Sequence, residues 1–126
     1  MAIFYSLSKK LIACKELFYA NPRSAGVVEL DELCGRISMH CSLKKSMLQT
    51  AVLALSEAIE EELAEGKIVD LGEIGRFQVS CSSCGVERES AFCSSRHMKD
   101  AKIVFRPGRG LKRMLKCVKY KRVAVL

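Results

Sequence analysis

The spacing of apolar residues changes along the chain and predicts the order of its elements. Between residues 28 and 41, apolar side chains recur every three or four positions, which is the period of an amphipathic helix. Residues 42–65 keep this period, with Ser42 as the predicted N-cap and Gly66 as the residue that ends the helix. The apolar stripe of this second helix is broader than one sheet face requires, so we expect it to contact a second partner.

Short β-prone runs flank the helical region on both sides. Near the N-terminus, the apolar stretches 3–5 and 17–19 are expected to pair as a hairpin. After the helices, residues 67–71 and 76–79 are predicted as two strands joined by a tight glycine-containing turn, and residues 102–105 as a third. The pattern therefore predicts an α+β protein with two N-terminal helices and a three-stranded antiparallel sheet.

A long polar segment interrupts the predicted sheet. Residues 80–101, called the arm below, contain too few apolar side chains for a core, and such a segment is usually a functional projection or a disordered loop. After the third strand, Pro107 and Gly108 introduce a short basic C-terminal helix. The apolar residues of this helix are expected to face inward: Leu111, Met114 and Leu115.

Positive charge is concentrated in the last third of the chain. The protein has 126 residues, a formal net charge of +7 at pH 7 and 49% hydrophobic residues, which fits a folded body with an anionic partner. From residue 90 onward, eleven basic residues are accompanied by one acid, Asp100. A solvated basic tail is the alternative, but the apolar residues interleaved here favour a folded nucleic-acid-binding surface.

Two local motifs resemble the bacterial HU and integration host factor family. Residues 71–77, Leu-Gly-Glu-Ile-Gly-Arg-Phe, are similar to that family's hairpin. Residues 105–112, Phe-Arg-Pro-Gly-Arg-Gly-Leu-Lys, are similar to its Phe-Lys-Pro-Gly-Lys-x-Leu-Lys element. The resemblance covers roughly residues 28–116, and the first 25 residues look like the extension of longer HU-like proteins from Bacteroides-type bacteria.

The resemblance implies an HU-like intertwined dimer fold and three parts of the chain. Residues 1–27 would be an N-terminal β-hairpin extension, residues 28–117 the HU-like DNA-binding domain with its extended β-arm, and residues 118–126 a basic C-terminal tail. The implied function is that of an architectural, histone-like protein. It would bind double-stranded DNA through phosphate-backbone and minor-groove contacts with little or no sequence specificity.

The expected setting of this activity is the cytoplasm, on the nucleoid. Lys9 and Lys10 interrupt the short apolar patch at the N-terminus, so we predict neither a signal peptide nor a membrane span there. A single copy would leave Phe77 and much of the long helix uncovered, which predicts a homodimer. No cofactor, membrane or small-molecule substrate is expected.

The resemblance also indicates which residues contact DNA. Cations of the terminal helix and of the strand before it would line the floor of a saddle, and cations of the arm would lie beside the duplex. Neutralised phosphates release counterions, so arginine and lysine are sufficient for this mode of binding. The arm has no proline to wedge between base pairs. The predicted DNA-binding residues are Arg76, Arg88, Arg96, Lys99, Lys102, Arg106, Pro107, Gly108, Arg109, Lys112 and Arg113.

The chain contains seven cysteines, so metal binding and redox chemistry are considered as well. Cys81, Cys84, Cys93 and His97 are four potential zinc ligands, but their spacing differs from that of zinc fingers, and exposed or structural thiols are favoured. A thioredoxin-like use of Cys81 and Cys84 is disfavoured because that motif normally opens a helix after a strand. The remaining cysteines are expected to be small core residues: Cys14, Cys34, Cys41 and Cys117.

The alternative function is that of an HU-fold structural or interaction protein. Such a protein would use the N-terminal extension and the cysteine-rich, zinc-binding arm to hold another protein. The charge favours DNA, because an interaction scaffold needs no such excess of cations in one segment. An enzyme is not expected, since the sequence has no phosphate-cradling glycine loop, no nucleophile with a partnered base, and two histidines.

Overall fold

The structure is a computed structural model and describes residues 2–124. Within this range the chain is α+β, with four α-helices and two three-stranded sheets. Its elements in order are β1 (Ile3–Ile12), β2 (Lys15–Arg23), α1 (Leu30–His40), α2 (Lys45–Ala64), β3 (Val69–Asp70), β4 (Gly75–Ser83), a single 3-10 turn (Glu89–Ala91), α3 (Ser94–His97), β5 (Met98–Pro107), α4 (Arg109–Lys116) and β6 (Tyr120–Arg122).

The chain forms two compact units. The first comprises Met1–Gln49 together with Arg113–Leu126, and the second is Thr50–Lys112. The first unit contains the sheet of order β2-β1-β6, and the second contains the sheet of order β3-β4-β5. The divisions between the units fall inside α2 and α4.

The predicted N-terminal hairpin is present, but its two apolar stretches do not pair with each other: Tyr5 lies opposite Pro22, and residues 17–19 lie opposite residues 8–10. Strands β1 and β2 pair antiparallel from Phe4 opposite Arg23 to Ile12 opposite Lys15. The two turn residues, Ala13 and Cys14, both have positive φ (51° and 64°), which is the mirror-image turn that matches the twist of a two-residue hairpin. The hairpin needs no glycine at this turn.

Part of the predicted basic tail is a strand. Strand β6 pairs parallel to β1, with Tyr120 opposite Ile3 and Arg122 opposite Tyr5. The Ile3 amide donates a hydrogen bond to the Lys119 carbonyl at 2.7 Å. This pairing joins residues more than a hundred positions apart, so local sequence patterns do not indicate it.

The two predicted N-terminal helices are present with shifted boundaries. Helix α2 begins two residues later than expected, because the Lys44 carbonyl, and not that of Ser42, accepts the first helical hydrogen bond, from the Leu48 amide at 3.1 Å. Its end is as predicted: Gly66 has φ of 80° and the Lys67 amide donates to the Glu62 carbonyl at 3.2 Å. This is a Schellman ending, which a left-handed glycine favours.

Few apolar side chains are buried within the single chain. Among residues 2–124, the buried apolar side chains are Cys34 and Leu63. The prediction that the apolar side of α4 faces inward is wrong for one copy, because its three apolar residues are 36–56% exposed. The core assignment is also wrong for Cys14, Cys41 and Cys117, which are exposed. The helices therefore keep apolar surface that the chain itself does not cover.

The second sheet is antiparallel throughout, as predicted. Strand β4 pairs with β3 on one side and with β5 on the other. Phe77 lies directly opposite Phe105, with ring centroids 5.0 Å apart. Both long strands extend into the arm, to Ser83 and Met98, so more of the arm is regular structure than its composition predicts.

The end of the arm is a small folded loop and not a plain hairpin turn. The Cys84 amide donates to the His97 carbonyl at 2.7 Å and closes the two strands. Beyond this point, the Cys93 amide donates to His97 Nδ1 at 2.8 Å, and the Phe92 ring lies 5.3 Å from the imidazole.

No helix in the described range is long and apolar enough to span a bilayer.

Candidate nucleic-acid interface

A cationic cleft lies in the second unit, where the β3–β4 turn meets the junction of β5 and α4. Its volume is about 550 Å³. Six of the predicted DNA-binding residues line it: Arg76, Arg106, Pro107, Gly108, Arg109 and Lys112. Asp70, Gly72, Glu73 and Gly75 from the turn complete the lining. Below, "the cleft" means these ten residues.

Two glycines allow the backbone segments that line the cleft to approach each other closely. Gly75 has φ of 139°, and a β-carbon at this position would overlap the Arg106 carbonyl oxygen. A β-carbon at Gly108 would likewise overlap the Glu73 carbonyl oxygen. The Gly108 amide donates to the Ile74 carbonyl at 3.0 Å, which fixes the start of α4 against the turn. The role expected for Gly108, approach to a phosphate, is thus accompanied by a direct packing requirement.

The N-terminus of α4 opens into the cleft. The Lys112 amide donates to the Gly108 carbonyl at 3.0 Å, so Gly108 is the capping residue of α4. The amides at the start of a helix have no acceptor within the helix, and the helix dipole places partial positive charge there. Arg109 and Lys112 add two full charges at the same end. This combination is suited to an anionic group such as a phosphate.

The cations of the cleft differ in how far they are neutralised. Arg76 Nε lies 3.2 Å from Asp70 Oδ2. A hydrogen bond from the Gly72 amide, and then the charge of Arg76, holds the pKa of Asp70 below its ordinary value. Within residues 2–124, no ion pair involves Arg106, Arg109 or Lys112. The cleft therefore presents three cations without an ion pair and one that is already paired, and Glu73 is a second acid in its lining.

The sheet next to the cleft has one polar and one apolar face. Arg76 lies opposite Arg106, and Ser80 lies opposite Lys102. Residues directly opposite one another share a face, and residues two apart on a strand do so as well. Arg76, Arg106 and Lys102 are therefore on one face, while the Phe77 and Phe105 pair lies on the other.

A β-bulge brings a further arm cation to this polar face. Lys102 and Lys99 are three residues apart and would point to opposite faces of a regular strand. The register shifts between Ser80 and Ser82, so that Ser82 lies opposite Lys99, and Asp100 has φ of 50° at this place. Lys99 and Lys102 consequently share a face. Sequence reasoning did not find the bulge, because no glycine marks it and non-glycine residues at positive φ are uncommon.

The remaining predicted contacts lie outside the cleft. Arg88 precedes the 3-10 turn and Arg96 lies in α3, both at the end of the arm. Arg113 is on α4 but does not line the cleft. The structure thus brings about half of the predicted DNA-binding residues together in the cleft. Sequence reasoning missed Asp70 as a residue of the cleft. Its position six residues before Arg76, across a glycine-containing turn, could have indicated the contact between them.

The four residues considered as zinc ligands do not converge as a site in the described range. Among residues 2–124, no group of three or more His, Cys, Asp or Glu side chains is arranged to hold a metal ion. His97 Nδ1 instead accepts the Cys93 amide. The Cys93 Sγ lies 3.1 Å from Ser95 Oγ, and hydrogen bonds from Ser95 and then Arg96 lower the pKa of this thiol.

Comparisons with known proteins place these features in a family. The sequence model described as an HU domain fused to wHTH, Ig, or a glycine-rich motif matches residues 1–122. A crystal structure of a presumed bacterial DNA-binding protein from Bacteroides vulgatus is similar, with a TM-score of 0.66 and 13% sequence identity. The similarity covers 97% of this chain and 48% of that one, so the chain spans about half the length of that protein. No curated protein matches the sequence.

Proposed function

Since the chain belongs to the family of HU domains fused to a wHTH, Ig or glycine-rich motif, we propose that it is an architectural DNA-binding protein. It binds double-stranded DNA through the phosphate backbone, with little dependence on sequence. The similar Bacteroides vulgatus protein, a presumed bacterial DNA-binding protein, supports this proposal. The activity is binding without catalysis, in the cytoplasm and on the nucleoid.

One observation carries the proposal, namely the three unpaired cations at the N-terminus of α4. Arg106, Arg109 and Lys112 line one cleft together with the helix end. A phosphate placed there gains hydrogen bonds from backbone amides and charge from the side chains, and the counterions it releases favour binding entropically. Arginine can bind phosphate oxygens through two parallel hydrogen bonds, which positions the duplex without reading its bases.

The arm extends this contact along the duplex. Lys99 and Lys102 lie on the same face as Arg106, so the cations continue from the cleft onto the strand. The prolines of the chain are Pro22 and Pro107, neither of them in the arm. We therefore propose backbone and minor-groove contacts by the arm without a proline wedge, with Arg88 and Arg96 as further cations at its end.

The functional state is a homodimer. Ile103 and Phe105 are 63% and 41% exposed on the apolar face of the sheet, and Leu55 of α2 is 43% exposed. Apolar surface of this kind on a single copy indicates a protein interface. Two intertwined copies of the 28–117 domain bury these residues, while the hairpin of residues 1–27 is an appended part.

The proposal is tested by the salt dependence of duplex binding. The logarithm of the affinity falls linearly with the logarithm of the salt concentration, with a slope of about −0.9 for each phosphate neutralised. The double variant R109Q/K112Q removes two cations of the cleft. The matched control R36Q/K44Q removes an arginine and a lysine from exposed positions on and near α1.

R109Q/K112Q should reduce the slope by about 1.8, measured by fluorescence anisotropy on a 30-base-pair duplex. R36Q/K44Q should leave the slope unchanged, since neither residue belongs to the cleft or to the arm. Equal slopes for the two variants, each folded by circular dichroism, would show that the cleft is not the DNA-binding surface.

A further inference from the structure

The N-terminal sheet has two faces of different chemistry. Along β1, side chains alternate between the faces, and the register assigns the neighbouring strands to the same faces. One face, called the cationic face, contains the cations Lys10, Lys15, Arg23 and Lys121, the polar residues Ser6 (buried), Ser8, Tyr19 and Asn21, and the apolar residues Phe4, Ile12 and Leu17. The other, called the apolar face, contains Ile3, Leu7, Leu11, Phe18 and Tyr120, together with Lys9, Glu16 and Arg122.

Side-chain contacts agree with this assignment. On the cationic face, Arg23 Nε donates to Ser6 Oγ at 2.7 Å. On the same face, Lys10 Nζ lies 5.8 Å from the centre of the Tyr19 ring. Each contact joins residues diagonally across the β1–β2 pair, as expected for side chains on one face.

The acid of this sheet is on the apolar face and is already paired. Lys9 Nζ lies 2.8 Å from Glu16 Oε2. In the described part of the sheet, the cationic face carries no acid, and none of its four cations forms an ion pair. Neighbouring Lys9 and Lys10 thus differ in environment, because one is neutralised by a carboxylate and the other is available to an external anion.

The four cations form an elongated track. Arg23 and Lys121 both lie beside Phe4 of β1, and Lys15 lies beside Ile12 of the same strand. Lys10 lies between these two positions along β1. The eight-residue separation along β1 corresponds to about 26 Å at a strand rise of 3.3 Å per residue. This length is less than one helical turn of DNA, roughly 34 Å, so the track can lie along one side of a duplex.

We propose that the cationic face of the N-terminal sheet is a second duplex-binding surface, which contacts the phosphate backbone through Lys10, Lys15, Arg23 and Lys121. The hydroxyl and amide groups of Ser8, Tyr19 and Asn21 lie among these cations and suit phosphate and sugar oxygens. This surface goes beyond the proposed function, which is assigned to the cleft and the arm of the other unit.

The arrangement favours nucleic acid over an anionic membrane. Elements that bind membrane surfaces insert an apolar face and place cations beside it, at the level of the headgroups. Here four of the five unpaired cations in the described sheet lie on the face opposite to Leu11 and Phe18, which are 72% and 65% exposed. Ile12 and Leu17, beside the cations, are 48% and 42% exposed. Insertion of Leu11 and Phe18 into a bilayer would turn Lys10 and Lys15 away from the lipid.

Two double variants of equal charge test the proposal. K10Q/K121Q removes cations of the cationic face, and K9Q/R122Q removes their sequence neighbours on the apolar face. Each protein is titrated against a 40-base-pair duplex over a salt series and against phosphatidylserine-containing vesicles. We expect K10Q/K121Q to reduce the salt slope by about 1.8 and K9Q/R122Q to leave it unchanged.

Equal slopes for the two variants, or a loss confined to vesicle binding by K10Q/K121Q, would overturn the second surface. That result is distinct from failure of the proposed function, which would appear as an unchanged slope for R109Q/K112Q in the same assay. Lysine acetylation of the unmodified protein adds a readout that does not depend on variants. Duplex DNA should protect Lys10 and Lys15 and leave Lys9 unchanged, whereas equal protection of Lys9 and Lys10 would contradict the proposal.

Discussion

Asp70 and Arg76 form an ion pair across the β3–β4 turn, with 3.2 Å between Oδ2 and Nε. The other carboxylate oxygen of Asp70 accepts the Gly72 amide at 2.8 Å. These two contacts fix a negative charge at the edge of the cleft and neutralise one of its four cations. A phosphate that enters the cleft meets Asp70 as a competitor for Arg76.

Replacement of Asp70 by Asn should tighten duplex binding. The change removes the repulsive charge and releases Arg76, while the side-chain oxygen of Asn still accepts the Gly72 amide. We expect the salt slope to steepen by about 0.9, one additional phosphate. The control E60Q removes an exposed carboxylate of α2 with the same change in net charge. If D70N and E60Q have equal affinity at every salt concentration, the ion pair does not restrain binding.

The two glycines at the start of α4 should respond oppositely to alanine. In G108A, the added β-carbon meets the Glu73 carbonyl, which is backbone and must move. We expect a loss of about 1–3 kcal/mol in the free energy of unfolding, measured by urea denaturation. Gly110 is helical and has open space where alanine would place its β-carbon, so G110A should stabilise the protein by roughly 0.5–1 kcal/mol. Equal effects of the two substitutions would contradict the packing described for the cleft.

The oligomeric state should depend on the apolar face of the β4–β5 sheet. Ile103 is 63% exposed on the face that also carries Phe105, so I103K should dissociate the dimer by placing a charge in the interface. Q78K adds the same charge to the opposite face and should leave the dimer intact. Light scattering at micromolar concentration measures the outcome. A wild-type monomer, or dimers for both variants, would remove this face from the interface.

Alkylation of Cys93 should show a pH midpoint below the ordinary thiol value of 9.0, because Ser95 and Arg96 stabilise the thiolate. S95A removes the larger of these contributions, so the midpoint should rise and the rate at pH 7.5 should fall. S94A is the control at the neighbouring position. The rate is followed by mass spectrometry of the peptide that contains Cys93. Equal midpoints for S95A and the wild type would remove the role of the Ser95 hydroxyl.

Local sequence patterns predicted much of the fold. The helical period located α1 and α2, and a left-handed glycine ended α2 at the expected place because few other residues adopt that conformation. The alternation of apolar residues located β4 and β5, and the motif from Phe105 to Lys112 corresponds to the end of β5 and the start of α4. Each of these signals acts within a few residues.

The features that the sequence analysis missed depend on distant or unusual contacts. Strand β6 forms by pairing with the opposite end of the chain. The bulge at Asp100 has no glycine to mark it, yet it decides which face Lys99 occupies. Met114 and Leu115 are exposed because nothing in the described part of a single copy covers them. Helical periodicity predicts which residues share a face of a helix, but it does not predict what that face contacts.

The central claim is charge-driven binding of duplex DNA without sequence reading. Its most direct test is the salt dependence of wild-type affinity for two 30-base-pair duplexes of unrelated sequence. We predict a steep linear fall of log affinity with log salt, with the same slope for both duplexes and affinities within a few-fold of each other. Affinity that does not change with salt, or no measurable binding at low salt, would contradict the account.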